Sequence, residues 1–265
     1  MGQRYGQNFL RDPNLARVAI DRADLVADDV VLEVGPGRGV LTVPLAETVA
    51  IVQAIEIDRD LEPALAPILA AHPNVRLTWG DAMKVPFADL APQPTAFVAN
   101  LPYNVATPLV LRSIPELPAI TRWCVMVQRE IADRMFAAPS TPAYGAVSVL
   151  MQLACDRTDL HPVGRAVFDP PPRVDSALVA FHRRADWPER APDWTRLSRL
   201  VHAGFQHRRK TLVNGLTMAQ LATRAQAEAV LTDLGHDVRI RAEAIAPAGW
   251  PALLEALAAT TVDEP

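Results

Sequence analysis

The sequence predicts an α/β fold in which a doubly wound, mostly parallel sheet is followed by a small all-helical domain. Short β-branched runs alternate with segments of helical composition through the first half of the 265-residue chain, the pattern of βαβ units. From about residue 184 onward the alternation stops, and only helical patterns follow. We therefore predict one domain over residues 1–183 and a second over residues 184–265.

Short apolar runs bounded by polar residues predict the buried strands of the parallel sheet. They are Val30–Val34, Ile51–Ile57, Val75–Trp79, Ala96–Ala99 and Cys124–Val127. Segments between them, such as Leu61–Ala71 and Thr107–Ile114, have the composition and length of helices. Asp156–Val163 and Ala177–Arg183 predict a closing pair of strands. In such a sheet, ligands bind at the carboxyl ends of the strands.

The second domain begins after a polar, proline-containing stretch, Ala185–Asp193. Helical patterns follow at Trp194–Phe205, Arg208–Met218, Ala225–Leu234 and Pro251–Ala259. About 80 residues of this kind are enough for a small helical domain.

Composition excludes several classes of protein. Half of the residues are apolar and 21% are charged, so a core can form and general disorder is excluded. Cys124 and Cys155 show no CxxC spacing, and the six histidines show no HExxH pattern. A disulfide scaffold and a metal site are therefore not expected, and a reducing, cytoplasmic location is.

No segment suits a membrane crossing. The first six residues contain no apolar run of the signal-peptide kind. The uncharged stretches Ala91–Leu111 and Met135–Cys155 are both interrupted by prolines. We expect a soluble protein, and no feature of the sequence indicates an oligomer, so a monomer is expected.

A local basic stretch contrasts with the acidic average of the chain. The formal net charge is −4, yet residues 183–210 contain eight Lys and Arg against three Asp and Glu. This stretch ends in His207–Lys210. Such a run is often only a solvated surface, but it is also what a protein that binds structured RNA uses.

A glycine-rich turn follows the first predicted strand directly. Val30–Val34 runs into Gly35–Gly39, where glycines allow the backbone to pass close to a ligand. A dinucleotide site would have a third glycine where Val40 stands, and free N–H groups for a pyrophosphate where Pro36 has none. A nucleoside without phosphates fits better, and S-adenosylmethionine is the common one. The alternative is a tight turn without a ligand.

Carboxylates follow the next two strands at the same predicted edge. Glu56 ends the second strand, 21 residues after Gly35, and can accept both hydroxyls of a ribose. Asp81 follows the third strand and can accept the amino group of an adenine. Together with the glycine turn, these residues favour a methyl-donor site over solvated caps of strand ends.

The string Asn100–Asn104 follows the fourth strand and predicts chemistry on an exocyclic amine. The amine's lone pair is delocalised into the base until two acceptors hold its N–H bonds, and the Asn100 side chain and the Leu101 carbonyl supply them. Pro102 restricts the backbone at this carbonyl, and Tyr103 offers a flat face for stacking. An isolated string of this kind would more often be only a turn.

Three consecutive prolines follow Phe168 in the segment Phe168–Ser176. They predict a stiff, extended segment that holds Phe168 against the second face of a base stacked on Tyr103. Alternatively, Phe168 is a core aromatic residue beside a rigid loop.

These motifs, taken with several others, resemble the small-subunit ribosomal RNA adenine N6,N6-dimethyltransferases (the KsgA family). The resemblance spans nearly the whole chain, including the helical domain, and implies a Rossmann-like, S-adenosylmethionine-dependent methyltransferase sheet. The strings that carry it are Gln7–Leu10, Glu33–Gly37, Glu56–Asp58, Asp81–Met83, Asn100–Asn104, Tyr144–Gly145, Phe168–Ser176, Phe205–Thr211 and Arg241–Glu243.

The resemblance implies dimethylation of two adjacent adenosines in a hairpin loop near the 3′ end of small-subunit (16S) RNA, with a role in small-subunit biogenesis. Small-subunit RNA and assembly intermediates are the expected partners. Gln7 and Asn8 are expected in a segment that closes over the methionine end of the cofactor. The cofactor-binding residues implied are Gln7, Asn8, Leu10, Gly35, Gly37, Glu56, Asp81, Ala82 and Asn100. The residues expected at the reacting base are Asn100, Leu101, Pro102, Tyr103 and Phe168.

RNA affinity is expected to come from arginine and lysine contacts to phosphates, because the rest of the chain is acidic. The residues expected to make these contacts are Arg183, Arg184, Arg208, Arg209 and Lys210.

Other classes of protein share part of this pattern. The large-subunit, macrolide-resistance type of adenine dimethyltransferase has the early motifs, but the three prolines after Phe168 and the string Phe205–Thr211 favour the small-subunit type. DNA adenine and protein glutamine methyltransferases typically have a second proline where Leu101 stands. A ribosome-assembly factor without catalysis is a further alternative, and the intact Asn100–Tyr103 argues against it.

Overall fold

The computed structural model describes residues 7–187, Ala191 and residues 193–260, which divide into two compact units. The first unit contains the described residues up to Ala132 together with Asp156–Arg183. The second contains Asp133–Cys155 and the described residues from Arg184 onward. The segment Asp133–Cys155 thus groups with the helical part of the chain, although the predicted division at residue 184 assigns it to the sheet domain. The boundary itself stays a prediction.

The first unit contains a seven-stranded sheet in the order β4-β3-β2-β5-β6-β9-β7, and a separate two-stranded sheet of β1 and β8. The strands are β1 (Phe9–Leu10), β2 (Val30–Val34), β3 (Ile51–Glu56), β4 (Val75–Trp79), β5 (Ala96–Asn100), β6 (Arg122–Gln128), β7 (Cys155–Val163), β8 (Phe168–Asp169) and β9 (Ser176–Arg183).

The predicted α/β fold is confirmed. Strands β2 to β6 pair in parallel, and β9 pairs antiparallel with β6. All of the predicted strands are present, with bounds that differ by no more than two residues. Because the chain builds outward from β2 through β3 to β4 and then returns to β5, the strand order reverses between β2 and β5. In open α/β sheets, this reversal is where ligands bind.

Helices cover the sheet and build the second unit. They are α1 (Pro13–Ala23), α2 (Thr42–Thr48), α3 (Glu62–Ala71), α4 (Ala106–Glu116), α5 (Arg129–Met135), α6 (Ala146–Ala154), α7 (Trp194–Phe205), α8 (Leu212–Met218), α9 (Arg224–Asp233) and α10 (Gly249–Thr260). None of the helices in the described ranges is long and apolar enough to cross a membrane.

Local capping explains where two of these helices begin. Asp12 accepts a hydrogen bond from Asn14 N (2.8 Å) and is followed by Pro13, so α1 has both usual signals of a helix start. Thr211 caps α8 by accepting from Asn214 N. The predicted helix over Arg208–Met218 therefore starts later than expected, and Arg208–Lys210 lie in the turn before it.

Each unit has its own apolar core. In the first, the buried face of α1 packs with residues of the sheet, including Val31, Val98 and Phe168. In the second, the ring of Phe205 stacks on Trp250 with centroids 5.7 Å apart. Gly204 permits this contact, since a β-carbon there would lie 2.6 Å from the Trp250 ring.

Candidate active site

A cavity opens at the carboxyl ends of β2, β3, β4 and β5, where the strand order reverses. We call it the strand-end cavity. The described residues that line it include two carboxylates and no Lys, Arg or His. They are Gln7, Asn8, Phe9, Val34, Gly35, Gly37, Ile55, Glu56, Ile57, Gly80, Asp81, Ala82, Met83, Asn100, Leu101, Pro102, Tyr103, Asn104, Val105 and Leu109. Every predicted cofactor-binding residue except Leu10 is among them.

The glycine turn after β2 brings main chain, without side chains, to the cavity. Gly35 and Gly37 have φ values of +76° and +59°, a left-handed conformation that favours glycine. Gly35 N donates to Ile55 O at 2.9 Å, which ties the turn to β3. A β-carbon at Gly37 would lie 3.0 Å from Cδ1 of Phe9, so the turn and Phe9 already touch.

Glu56 is held in one orientation by main-chain donors. Its Oε1 accepts from Asp58 N at 2.9 Å, and its Oε2 accepts from Gly37 N at 3.2 Å. Burial raises the pKa of Glu56, and the backbone N–H groups around it oppose that rise. Each carboxylate oxygen keeps a further lone pair, so Glu56 can still accept hydroxyl donors from a ligand.

Asp81 is placed similarly, one strand further along the sheet. Its Oδ1 accepts from Met83 N at 2.9 Å, which orients the carboxylate within the turn after β4. The Lys84 ammonium lies 3.9 Å from Oδ2, as an exposed ion pair. Because its side chain is 34% exposed, Asp81 can receive a polar group of a ligand without further rearrangement.

A second buried glutamate lies in β2, close to this site. Glu33 is 1% exposed, and its Oε2 has no hydrogen-bond partner among the described residues. Burial raises the pKa of Glu33 to about 8, the nearby Glu56 charge adds to the rise, and Thr42 opposes it. In the sequence, the string Glu33–Gly37 contributes only to the family resemblance, and the burial of its glutamate is not readable from spacing.

The Asn100 side chain is oriented by the N-terminal segment. Its Nδ2 donates to Asn8 O at 3.1 Å, which turns Oδ1 toward other donors. Leu101 N donates to Met126 O at 3.1 Å, and Val105 N donates to Pro102 O at 3.1 Å. These bonds hold the chain after β5 at the cavity, so Asn100, Leu101, Pro102 and Tyr103 are brought together. That they hold an amine stays a prediction.

Tyr103 is anchored by its hydroxyl. The hydroxyl oxygen lies 2.5 Å from Ser176 Oγ at the start of β9. Burial raises the pKa of Tyr103, and the bond to Ser176 opposes this rise, so the ring carries a neutral hydroxyl. A half-buried, tethered ring at a cavity wall is suited to stacking against a flat ligand.

Strand alternation explains why Leu10 and Phe168 lie outside the cavity, contrary to the prediction. Strands β1 and β8 pair Phe9 with Asp169 and Leu10 with Phe168. Since neighbouring residues of a strand point to opposite faces, Phe9 faces the cavity while Leu10 and Phe168 enter the core of the first unit. Phe168 is 0% exposed and takes its alternative role, that of a core aromatic. The sequence-based prediction missed Phe9, because a two-residue strand carries too little alternation to show which residue faces the cavity.

Arg38 contacts both strands of this two-stranded sheet. Its guanidinium carbon lies 4.8 Å from the centroid of the Phe9 ring. Its Nη1 also lies 3.0 Å from Oδ2 of Asp169, on the neighbouring strand. Arg38 therefore connects the glycine turn to both β1 and β8. No motif indicated this role.

The basic residues expected to bind RNA differ in whether their side chains already form hydrogen bonds or ion pairs within the protein. Arg183 Nε donates to Ile120 O at 2.7 Å, and its guanidinium lies over the Trp123 ring, so it is part of the first unit's interior. Arg184 pairs with Asp186 at 3.1 Å. The charge of Arg183 is therefore engaged within the first unit, and that of Arg184 has an acidic neighbour. Contacts of these two residues to RNA stay a prediction.

The remaining three lie in the turn before α8. Arg208 donates to Pro142 O at 3.0 Å and lies 3.7 Å from the Glu243 carboxylate. Arg209 and Lys210 are exposed and form no ion pair with any described residue. Contacts of these residues to RNA stay a prediction.

Comparison with known proteins identifies the family. Residues 2–247 match the family model for ribosomal RNA adenine dimethylases. The chain is 46% identical, over 95% of its length and 93% of the relative, to the ribosomal RNA small subunit methyltransferase A of Rubrobacter xylanophilus. It is 42% identical to the protein of the same name from Thermobifida fusca, over 94% of this chain and 88% of that one.

Solved structures agree with this assignment. The structure of the 23S rRNA methyltransferase ErmE is 28% identical and matches with a TM-score of 0.69, over 95% of this chain and all of that one. A dimethyladenosine transferase from Plasmodium falciparum matches with a TM-score of 0.79 at 24% identity, over 92% of this chain and 95% of that one, and shows the shared fold. The chain belongs to the ribosomal RNA adenine dimethylase family.

Proposed function

We propose that this enzyme transfers methyl groups from S-adenosylmethionine to N6 of two adjacent adenosines in a hairpin loop near the 3′ end of small-subunit RNA, giving N6,N6-dimethyladenosine. The observation that carries the proposal is the position of Asn100–Tyr103 in the wall of a cavity that is also lined by Glu56 and Asp81. The identity to small-subunit methyltransferases over almost the whole chain supports this choice of RNA.

The residues of the strand-end cavity fit the cofactor. Glu56 has lone pairs left for the two ribose hydroxyls, and Asp81 is open enough to accept from an adenine amino group. Gly35 and Gly37 line the cavity with main chain alone. Asn8 and Gln7 lie at the N-terminal side of the cavity, where they are proposed to close over the methionine end.

The cofactor supplies a methyl group on a positively charged sulfur, which is an excellent leaving group. The task of the protein is therefore mainly orientation of the amine and the methyl group in line. Asn100 Oδ1 and the Leu101 carbonyl are proposed to accept the two N–H bonds of the adenine, which makes the lone pair of N6 available. Tyr103 stacks on the base, and the methylated nitrogen loses its proton without a strong base. Loop bases suit this site because they can be splayed out.

Labelled S-adenosylmethionine and small ribosomal subunits from a strain that lacks the modification provide the test. Nucleoside analysis should detect N6,N6-dimethyladenosine in the small-subunit RNA with the wild-type protein. Asn100→Ala should abolish it, because one of the two acceptors for the amine is lost. Absence of dimethyladenosine from the small-subunit RNA, with wild-type protein that is folded and binds the cofactor, would refute the proposal.

A second candidate is methylation of large-subunit RNA. The similarity to ErmE over 95% of this chain favours it as the alternative. Label that appears in large-subunit RNA and not in small-subunit RNA would select this candidate. The three prolines at Pro170–Pro172 and the string Phe205–Thr211 support the small-subunit choice.

Binding to assembly intermediates is also proposed, with the enzyme acting as a monomer. A role in subunit assembly without catalysis would leave subunit binding intact in Asn100→Ala and give no methylation with the wild type. Sedimentation of the protein alone and with small subunits measures both the oligomeric state and this binding.

A further inference from the structure

A groove runs along one face of α7 in the second unit. Thr195, Ser198, Arg199 and His202 are spaced at helical intervals that place them on the same side of the helix. Phe205, the last residue of α7, and Gln206 after it continue this face. We call this surface the α7 groove.

The polar side chains that line the α7 groove carry no negative charge. None of the described residues of the lining is acidic. Its side chains offer hydrogen-bond donors and one permanent positive charge, that of Arg199. This chemistry matches an anion with several acceptor oxygens.

Arg199 has an available charge in this groove. It is exposed and forms no ion pair or hydrogen bond with any described residue. Arg196, on the same helix, has its Nε 3.8 Å from Oδ2 of Asp193. Arg224 is paired with Glu228 at 3.2 Å, and Arg208 lies near Glu243. The guanidinium of Arg199 thus keeps all of its donors for a partner.

The neighbours of Arg199 add hydroxyl groups and an aromatic ring. Ser198 and Thr195 carry hydroxyls on the same side of the helix. His202 Nδ1 lies 2.7 Å from Ser198 O, and since a carbonyl only accepts, Nδ1 donates this bond. Phe205 lines the groove, is half-buried, and has its ring stacked on Trp250. A charged fork next to hydroxyl groups and an aromatic ring is the composition of sites that hold a sugar–phosphate chain.

We propose that the α7 groove binds the sugar–phosphate backbone of the substrate RNA, with the Arg199 fork on a phosphate and Ser198, Thr195 and Gln206 on neighbouring oxygens. This inference rests on the proposed function and specifies where the second unit contacts the RNA. It assigns a binding role to a residue that the basic string His207–Lys210 does not include.

The helix itself supplies a matched control. Arg199→Ala removes the available charge, whereas Arg196→Ala removes an exposed arginine that is already paired with Asp193. We expect Arg199→Ala to raise KM for small subunits about three- to tenfold with kcat unchanged, since one phosphate contact is lost, and Arg196→Ala to change it less than about twofold. Arg199→Lys should restore part of the loss, because it keeps the charge without the fork.

A direct measurement of RNA binding tests this proposal independently of the proposed methylation. Filter binding of small-subunit RNA at several salt concentrations gives the slope of the logarithm of the association constant against the logarithm of the salt concentration. Arg199→Ala should reduce the magnitude of this slope by the amount that corresponds to about one phosphate contact. This readout needs no methylation, so it stands even if the wild type methylates nothing. Thermal unfolding and cofactor affinity should match the wild type in both variants.

Two results would overturn the proposal. A KM and a salt slope for Arg199→Ala that equal those of the wild type would show that the α7 groove does not contact RNA. Weaker binding of whole subunits by Arg199→Ala, with unchanged binding of protein-free RNA, would assign the groove to a ribosomal protein instead.

Discussion

Replacement of Arg38 by alanine is expected to speed the release of bound S-adenosylmethionine about fivefold. Gln7, Asn8 and Phe9 line the strand-end cavity, so a ligand that leaves past them requires β1 to move. Arg38 opposes that movement through its cation–π contact with Phe9 (4.8 Å) and its ion pair with Asp169 (3.0 Å).

The magnitude follows from the exposure of these contacts. The side chains of Arg38 and Asp169 are 54% and 51% exposed, so the ion pair contributes about 0.5 kcal/mol. An exposed cation–π contact contributes about 0.5 kcal/mol. Their sum of about 1 kcal/mol corresponds to a factor of about five in rate. Asp169→Ala removes only the ion pair and should give about a twofold change.

Stopped-flow displacement of a fluorescent cofactor analogue measures this release rate. Arg165→Ala is the control, since Arg165 pairs with Asp175 at 2.9 Å with similar exposure but does not contact β1. The reasoning is wrong if Arg38→Ala and Arg165→Ala release the analogue at the same rate. A release rate that falls in Arg38→Ala would also refute it.

Three further substitutions test the site. The pKa of Glu33 is raised from 4.5 to about 8, so the folded state retains this proton and loses stability as the pH rises across that interval. Glu33→Gln, which stays neutral, should therefore unfold at a higher temperature than the wild type at pH 9, with a gain in the free energy of unfolding of at most about 5 kcal/mol. At pH 4 the variant and the wild type should unfold at the same temperature. A difference in unfolding temperature that stays constant from pH 4 to pH 9 would contradict this. Gly37→Ala should weaken cofactor binding about tenfold in calorimetry, because it forces a β-carbon into a left-handed conformation against Phe9; an unchanged Kd would exclude that strain. Tyr103→Phe loses only the bond to Ser176 and should keep kcat/KM within about threefold, whereas Tyr103→Ala should lose at least about tenfold; equal losses would show that the hydroxyl, and not the ring, matters.

The sheet was predictable because most of its parallel strands are short runs of apolar, often β-branched residues. Val30–Val34 has the predicted bounds and is buried at every residue. Val75–Trp79 also has the predicted bounds, although it is an edge strand that contains the exposed Arg76. The ends of these strands then bring Gly35, Glu56 and Asp81 to one cavity, as expected for parallel strands. These parts of the site follow from local pattern and topology alone.

Other parts depend on contacts between residues far apart in the chain. The two-residue strand β1 is too short for its pattern to reveal that Phe9, and not Leu10, faces the cavity, and its register comes from β8. Arg183 belongs to a basic stretch, but its position beside Trp123 draws its guanidinium into the interior. The grouping of Asp133–Cys155 with the second unit likewise has no local signal.

The charges around the strand-end cavity bear on how the enzyme exchanges its cofactor between transfers. The described lining contains Glu56 and Asp81 and no cationic side chain. This environment favours a sulfonium over the neutral thioether that remains after methyl transfer. At the proposed cofactor site, each transfer therefore removes the charge that the cavity attracts, and we expect the spent cofactor to be held less tightly than a fresh one. The proposed dimethylation of two adenosines uses four cofactor molecules, with three exchanges between transfers, and the chemical step itself would supply a bias toward each replacement.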